Sequence, residues 1–349
     1  MEPDAALEAA VSANPTLRAM NTSALPIILL AASGLVLFLY AVSRLALTLR
    51  HLAGEKVKAL LHRFTKTVPA AILAGTVVTT LLDSSSVVII LTIALVSAGA
   101  LPFRNSLGVV LGANIGTTIS SQLFAFDLGQ YSVVAMLPGL LFLSWSKTRN
   151  GRALGRALFC FGLLFFSLFL IGEAAAPLKD HRGVEAWLLK LESPLRGAGV
   201  GALVTLIIQS SSATLGMVIK LAAKGLLTLP AGIAVMLGAE LGTCSDTLLA
   251  TIGRGRSALK TGLFHLFFNA VTISIGLLLI HPFTVLVLRV ARAAAIDRQI
   301  AHAHVLFNVG GVLLFAPLIP VCQLLLDRWL PDQPSVGKPL TRPAAAPAT

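Results

Sequence analysis

Two short runs of side chains have the types and spacing needed to hold an ion. Asp83-Ser84-Ser85-Ser86 separates the apolar stretches 68–82 and 87–101, and Gln209-Ser210-Ser211-Ser212 repeats the arrangement further along the chain. A serine hydroxyl donates one hydrogen bond and accepts two. A helix starting near Val87, or near Ala213, leaves its first N–H groups unpaired and carries a partial positive charge at that end. An anion is held well there, with the hydroxyls donating to its oxygens. The same hydroxyls, with carbonyl groups freed where a helix is broken, coordinate a small cation such as sodium. One turn therefore has the groups for an anion and its coupling ion together. Serines in membrane helices also bond back to carbonyl groups or let helices pack closely. A lone triple serine would favour that plainer role; its duplication favours ion binding.

A second element is duplicated too. Gly112-Ala113-Asn114-Ile115-Gly116-Thr117-Thr118 is answered by Gly238-Ala239-Glu240-Leu241-Gly242-Thr243-Cys244. Glycine tolerates unwound backbone and close approach, so this element is either a small-residue packing face or part of a ligand site. The Asn, Glu and Thr side chains within it favour the ligand site. Three carboxylates, Asp83, Glu240 and Asp246, stand inside or beside these motifs. Acidic groups at membrane depth are costly and usually mark ion paths. An ionised Asp83 would repel an anion beside it, so it must be protonated, or neutralised by a cation, when the anion binds. His265 with Asn269, and His304 with Asn308, are pairs four apart, each on one helical face. Packing between helices is the favoured reading for them, over ligand contact.

The elements that must position these groups lie in a membrane. The 349 residues are 56% hydrophobic and 12% charged, about half the charge of a soluble globule. Apolar runs at 26–49, 153–171, 263–280 and 305–326 are near the roughly 20 residues that cross a bilayer. Glu2, Asp4 and Glu8 stand where a signal peptide would be basic, so the first run reads as a retained helix. Cys160, Cys244 and Cys322 fall within apolar segments and read as free buried thiols. The net charge of +12 gathers in clusters: Arg44, Arg50, Lys56, Lys58, Arg63 and Lys66; then Lys147, Arg149, Arg152 and Arg156; then Arg254, Arg256 and Lys260. In a membrane protein such clusters report cytoplasmic loops rather than nucleic-acid binding.

The duplication is long and gapless. Gly75 matches Gly201, Thr79 matches Thr205, Leu111 matches Leu237 and Thr117 matches Thr243, each 126 positions on. The expected fold is an all-α polytopic membrane protein of two inverted repeats, each with a re-entrant helical hairpin carrying a Ser-Ser-Ser turn. The half-length stretches around each turn are too short to span, and three crossings, 106–126, 132–145 and 153–171, lie between the two hairpins. The expected organisation is an N-terminal periplasmic segment 1–25, repeat 1 at 26–150, repeat 2 at 151–290, a C-terminal helix 291–330 and a disordered tail 331–349. No nucleotide-binding P-loop is present, which argues against ATP-driven transport.

These motifs, Thr79 with Asp83-Ser84-Ser85-Ser86, Gly112 to Thr118, and Gln209-Ser210-Ser211-Ser212-Ala213-Thr214, resemble the type II sodium/phosphate cotransporter family in its bacterial form. The likeness covers roughly 26–320. It implies sodium-coupled transport of inorganic phosphate by alternating access, in a bacterial inner membrane, without a resident cofactor and with a homodimer as the expected assembly. The implied phosphate ligands are Ser84, Ser85, Ser86, Gln209, Ser210, Ser211 and Ser212, with Asn114, Thr117 and Thr118 from the second motif. Sodium is assigned to Asp83, Thr79, Thr205, Glu240, Thr243 and Asp246. The sequence departs from the family pattern at Asp83, where the family has Gln, at Glu240, where it has Asn, and at Cys244, where it has Thr. The two added acids keep a proton-coupled or export-directed carrier of phosphate or another oxyanion as the rival. An ion channel or a membrane enzyme are rivals of another class, although no Gly-x-Ser-x-Gly elbow is present.

Overall fold

The computed structural model describes residues 24–331 apart from 127 and 180. Most of the segment 1–25 and of the tail 331–349 lies outside the described residues. Those described form helices and turns, with no strand among them.

The first helix, α1 (Ala24–Phe64), is 41 residues long. It carries the apolar run and continues straight through the basic cluster, so Arg44, Arg50 and Arg63 sit on a helix rather than in a loop after one. Nothing between Leu49 and Phe64 is Pro, and Gly54 alone does not end a helix so rich in good helix formers. Two short helices follow, α2 (Val68–Leu82) and α3 (Ser85–Ser97), and then α4 (Phe103–Phe124). The next elements are α5 (Val133–Trp145), α6 (Arg149–Ala175) and α7 (Arg182–Leu189). The second set is α8 (Pro194–Ile208), α9 (Ser211–Ala223), α10 (Leu229–Gly242) and α11 (Cys244–Leu249). The chain ends in α12 (Arg256–Leu278), α13 (Ile280–Val290), α14 (Ile296–Phe315) and α15 (Ile319–Trp329).

Among the described residues, five helical stretches are long and apolar enough to cross a membrane: Leu25–Leu52, Phe103–Phe124, Arg149–Leu178, Arg256–Leu278 and Ile296–Trp329. A sixth is counted only if Gly183–Glu192 and Pro194–Ile208, which bend by 103° at their junction, are one span. The stretch expected as a crossing at 132–145 forms a helix of only 13 residues, interrupted in its middle by Pro138. That is short of the apolar length a bilayer requires. The run at 305–326 is broken by a 3-10 turn, Ala316–Leu318, where Pro317 cannot donate into a regular helix.

What brings the duplicated elements together is a glycine face used twice. A Cβ on Gly112 would run into the Ile72 carbonyl oxygen, and one on Gly238 into the Ala198 carbonyl oxygen. Gly75 sits likewise on the Val109 carbonyl, and Gly201 on that of Val235. Gly116 packs on Thr76 and Thr79, and Gly242 on Ala202 and Thr205. Each pair of partners is again 126 positions apart, so α2 lies on α4 as α8 lies on α10. Only a residue without a side chain permits such backbone contact. The glycines of the second motif thus serve packing, while its threonines point elsewhere.

The buried apolar residues form two cores. One joins α2, α3 and α4 to the end of α1, to α12 and to α15. The other joins α9 and α10 to α1, α6, α13 and the start of α14. Helix α1 packs along α6, and the two serine turns meet beside them. Cys160, Cys244 and Cys322 are buried and unpaired.

Candidate ion site between the two serine turns

Each serine turn is a two-residue break with the same backbone. Asp83 has φ 51° and ψ 37°, and Gln209 has φ 61° and ψ 30°, both in the left-handed region. That conformation ends a helix, and here the Asp83 N–H donates to the Thr79 carbonyl at 2.8 Å and the Gln209 N–H to the Thr205 carbonyl at 2.7 Å. Aspartate tolerates this region better than most residues, so the acid at position 83 fits its place in the turn. Ser84 (φ −160°) and Ser210 (φ −154°) then swing the chain into extended backbone. Their hydroxyls cap the next helices, Ser84 Oγ accepting from the Val87 N–H at 3.4 Å and Ser210 Oγ from the Ala213 N–H at 3.1 Å.

The two turns, so distant in sequence, line one cavity of about 310 Å³. Its wall includes Asp83, Ser84, Ser85, Ser86, Gln209, Ser210, Ser211 and Ser212, together with Thr117 and Thr243. The starts of α3 and α9 both face it, so two helix N-termini converge on one space. Both threonines send their own protons back along the helix. Thr117 Oγ1 donates to the Asn114 carbonyl and Thr243 Oγ1 to the Glu240 carbonyl, each at 2.8 Å. Their hydroxyl lone pairs are thereby left to accept.

Other residues expected at the site stand behind it. Asn114 is buried and donates to the Val110 carbonyl at 2.9 Å, and Thr118 donates to the Ile115 carbonyl at 2.8 Å. Neither lines the cavity. Thr205 Oγ1 donates to Thr214 Oγ1 at 2.8 Å. Its counterpart is Thr79, and Val88 stands at the position equivalent to Thr214; the fully buried Thr79 hydroxyl has no hydrogen-bond partner among the described residues. Asp246 accepts from the Thr247 N–H at 2.7 Å, and its carboxylate faces the Ser86 hydroxyl from outside the cavity wall. Glu240 is 2% exposed and turns away from the cavity toward His304, with Oε1 and Nε2 3.1 Å apart. Asp83 alone of the three carboxylates lines the cavity, and it accepts a hydrogen bond from Ser120.

Two polar residues of the cavity wall were missed in the sequence. Ser43 and Arg50, both on α1, line it with Leu39, Val42 and Ala46. Arg50 reads from sequence as one member of a topological charge cluster. Its spacing from Ser43 and Ala46, which puts the three on one helical face, is the signal that could have found it. A guanidinium at the rim of a hydroxyl-lined space recognises an oxyanion through a planar fork of donors. Among the described residues no group of three or more His, Cys, Asp or Glu side chains is placed to hold a metal ion. Any cation held here would be met by the oxygens of Asp83 and the hydroxyls.

Broken helices meeting at a polar cavity, amid helices long enough to cross a bilayer, are an arrangement that multi-pass membrane transporters use. The sequence profile of the Na+/Pi-cotransporter family matches residues 37–173 and 180–314, and the chain belongs to that family. It is 30% identical to the uncharacterized protein YqeW of Bacillus subtilis over 87% of this chain and 99% of that one. It is 27% identical over 82% of its length to Escherichia coli YjbB, whose name assigns it to inorganic phosphate export; the match spans 53% of that protein. Human sodium-dependent phosphate transport protein 2B is 30% identical over 34% of this chain and 19% of its own. No solved structure matches.

Proposed function

We propose that this protein is a secondary carrier of inorganic phosphate, binding it between the two serine turns. The observation that carries the reading is the single cavity into which Ser84 to Ser86 and Ser210 to Ser212 both open, with Arg50 at its edge. Phosphate at neutral pH offers acceptor oxygens on every side. Serine hydroxyls and the first N–H groups of α3 and α9 supply donors from two directions, and Arg50 supplies a positive charge. Thr117 and Thr243, which accept rather than donate, suit the remaining phosphate proton or a cation.

Asp83 sits where it would repel phosphate unless a cation lies between them. A sodium ion held by Asp83 and neighbouring hydroxyls would neutralise it and make binding of the two ions mutually dependent. Coupling to sodium also agrees with the family's name. Two units, 26–150 and 151–290, inverted relative to each other in a bacterial inner membrane, would let the cavity open to either side in turn by a rocking of one unit against the other. The matched glycine packing of α2 on α4 and α8 on α10 supports the two-unit organisation. Export is a second reading, favoured by the name of the Escherichia coli relative.

Radiolabelled phosphate uptake into proteoliposomes, with and without an inward sodium gradient, tests both readings. Sodium-driven accumulation that saturates with phosphate supports the first. Efflux from phosphate-loaded vesicles that outpaces uptake supports export. Absence of phosphate movement in either direction contradicts the carrier.

A further inference from the structure

Three arginines stand where the charge pattern gives no topological reason for them. The Arg256 guanidinium donates to the Pro331 carbonyl, so the start of α12 and the end of the last helix share one face of the molecule. Helix α12 is long and apolar enough to cross, which puts Arg289, Arg292 and Arg298 at the opposite face from the basic turn at 254–260. Retention in the cytoplasm accounts for one of these two clusters and not for both. Asp297 is the only acid between Asp246 and Asp327. Arg298 lies over the Phe126 ring, 5.7 Å from its centroid. Arg289 and Arg292 are exposed and make no hydrogen bond or ion pair among the described residues.

Beside them is a groove that the transport site does not use. It has a volume of about 400 Å³ between α12, α13 and α14, and its wall includes Leu279, Pro282, Leu286, Leu306, Gly310 and Leu314. Thr272 is its one polar side chain, and that hydroxyl donates to the Phe268 carbonyl at 2.8 Å. The groove thus suits hydrocarbon rather than an ion. Glycines shape it. A Cβ on Gly276 would meet Phe307 at 3.2 Å, and one on Gly311 would meet Thr272 at 3.2 Å, so α12 and α14 run antiparallel along it. A Cβ on Gly310 would meet nothing within 4 Å.

Size and charge select the occupant. Over 306–314 the groove follows α14 for about 12 Å, at about 1.5 Å per residue. One leaflet is about 15 Å deep, half of the hydrocarbon core, so this length suits a single acyl chain. A crossing helix of a second copy would need a face running through the whole core. Pro282, Leu286 and Arg289 recur at helical spacing on one face of α13, which places Arg289 one turn past the groove wall. Arg292 follows three residues on. A chain ending in a negative headgroup matches both parts, with hydrocarbon along the groove and a phosphate oxygen for each guanidinium to bond.

We infer that this groove binds one anionic phospholipid, its chain along α14 and its headgroup phosphate against Arg289 and Arg292. The inference rests on the membrane fold and is independent of which ion the serine cavity carries. The groove nevertheless reaches toward that cavity: Gly276 also faces Leu237 of α10, the helix that ends at Thr243 of the cavity wall. A bound chain sits one layer behind that helix and braces α12 and α14 around it.

The test titrates the full chain, purified and delipidated in neutral detergent, with phosphatidylglycerol or with phosphatidylcholine of the same chain length. Bound lipid is counted by native mass spectrometry. One phosphatidylglycerol should be held about tenfold more tightly than phosphatidylcholine, and the melting temperature should rise with its concentration. Equal retention of the two lipids overturns the inference. Changing both arginines, Arg289→Gln and Arg292→Gln, should remove the preference without altering the melting temperature measured free of lipid; an unchanged preference overturns it. Gly310→Leu puts a side chain into the groove and should weaken phosphatidylglycerol binding by about tenfold. Unchanged binding there overturns the groove as the seat of the chain. Where that variant does not fold, dihexanoyl phosphatidylglycerol on the wild type decides the same point. It keeps the headgroup and loses most of the chain, so binding as tight as the long-chain lipid overturns the inference, as does displacement of the lipid by inorganic phosphate. A dimer that Gly310→Leu dissociates while lipid retention is intact assigns the groove to a second copy and overturns it equally.

Discussion

Arg50 and Asp83 carry opposite charges on one cavity wall, and their effects on an anion should oppose each other. Arg50→Gln removes a charged donor at the rim. A hydrogen bond to a charged group contributes about 1.5–3 kcal/mol, so the half-saturating phosphate concentration should rise about tenfold, the low end reflecting solvent around an exposed side chain. The maximal rate should change little, and kinetics of phosphate uptake check both. Asp83→Gln removes the repelling carboxylate and restores the family's residue. Phosphate should then bind with less dependence on sodium, read from uptake at several sodium concentrations. If sodium and pH dependence are both unaltered, Asp83 is not the cation's partner. The contribution of Asp83 was legible in the sequence because an acid interrupts an apolar run there. That of Arg50 was not, because its distance from the turns in sequence hid its closeness to them in space, and its neighbours supplied a sufficient topological reason for it. Glu240 was legible as a costly buried acid, but its partner His304, 64 residues away, was not.

At the scale of elements, the duplication extends to individual packing contacts, and one place where it lapses is informative. Thr205 is bonded to Thr214, whereas the first copy has Val88 at the position of Thr214, and Thr79 keeps a buried hydroxyl without a partner among the described residues. Val88→Thr should complete the missing bond. Hydrogen bonds between membrane helices average about 0.6 kcal/mol, so a small rise in thermal stability of the purified protein is expected. A fall would mean that the threonine cannot enter this packed site, or that Thr79 already has a use. The short helices flanking each turn were readable because their lengths and the triple serines agree in both copies. The extension of α1 to Phe64 was not, since a basic cluster after an apolar run looks like a loop; the charges are simply carried on further helical turns. The bounds of α5 were legible, because Gly129 to Ser132 and Ser146 to Thr148 are polar on either side; what the apolar composition between them did not settle was whether 13 residues cross.

For the whole molecule, the two serine turns draw their meaning from meeting. Neither half closes the cavity by itself, and the helices that bring them together, α1 against α6 and α4 against α10 through His304, belong to different halves of the chain. That convergence was implied by a repeat but could not be read from it, because spacing along a chain says nothing of which faces meet. It is also the central claim: phosphate is held from both halves at once. Binding of labelled phosphate to the purified protein, compared with Ser86→Ala and with Ser212→Ala, tests it most directly. Each hydroxyl is a donor to a charged oxyanion, so either substitution alone should weaken binding by about tenfold or more. Binding that falls for a change in one turn and is untouched by the matching change in the other would contradict a shared site.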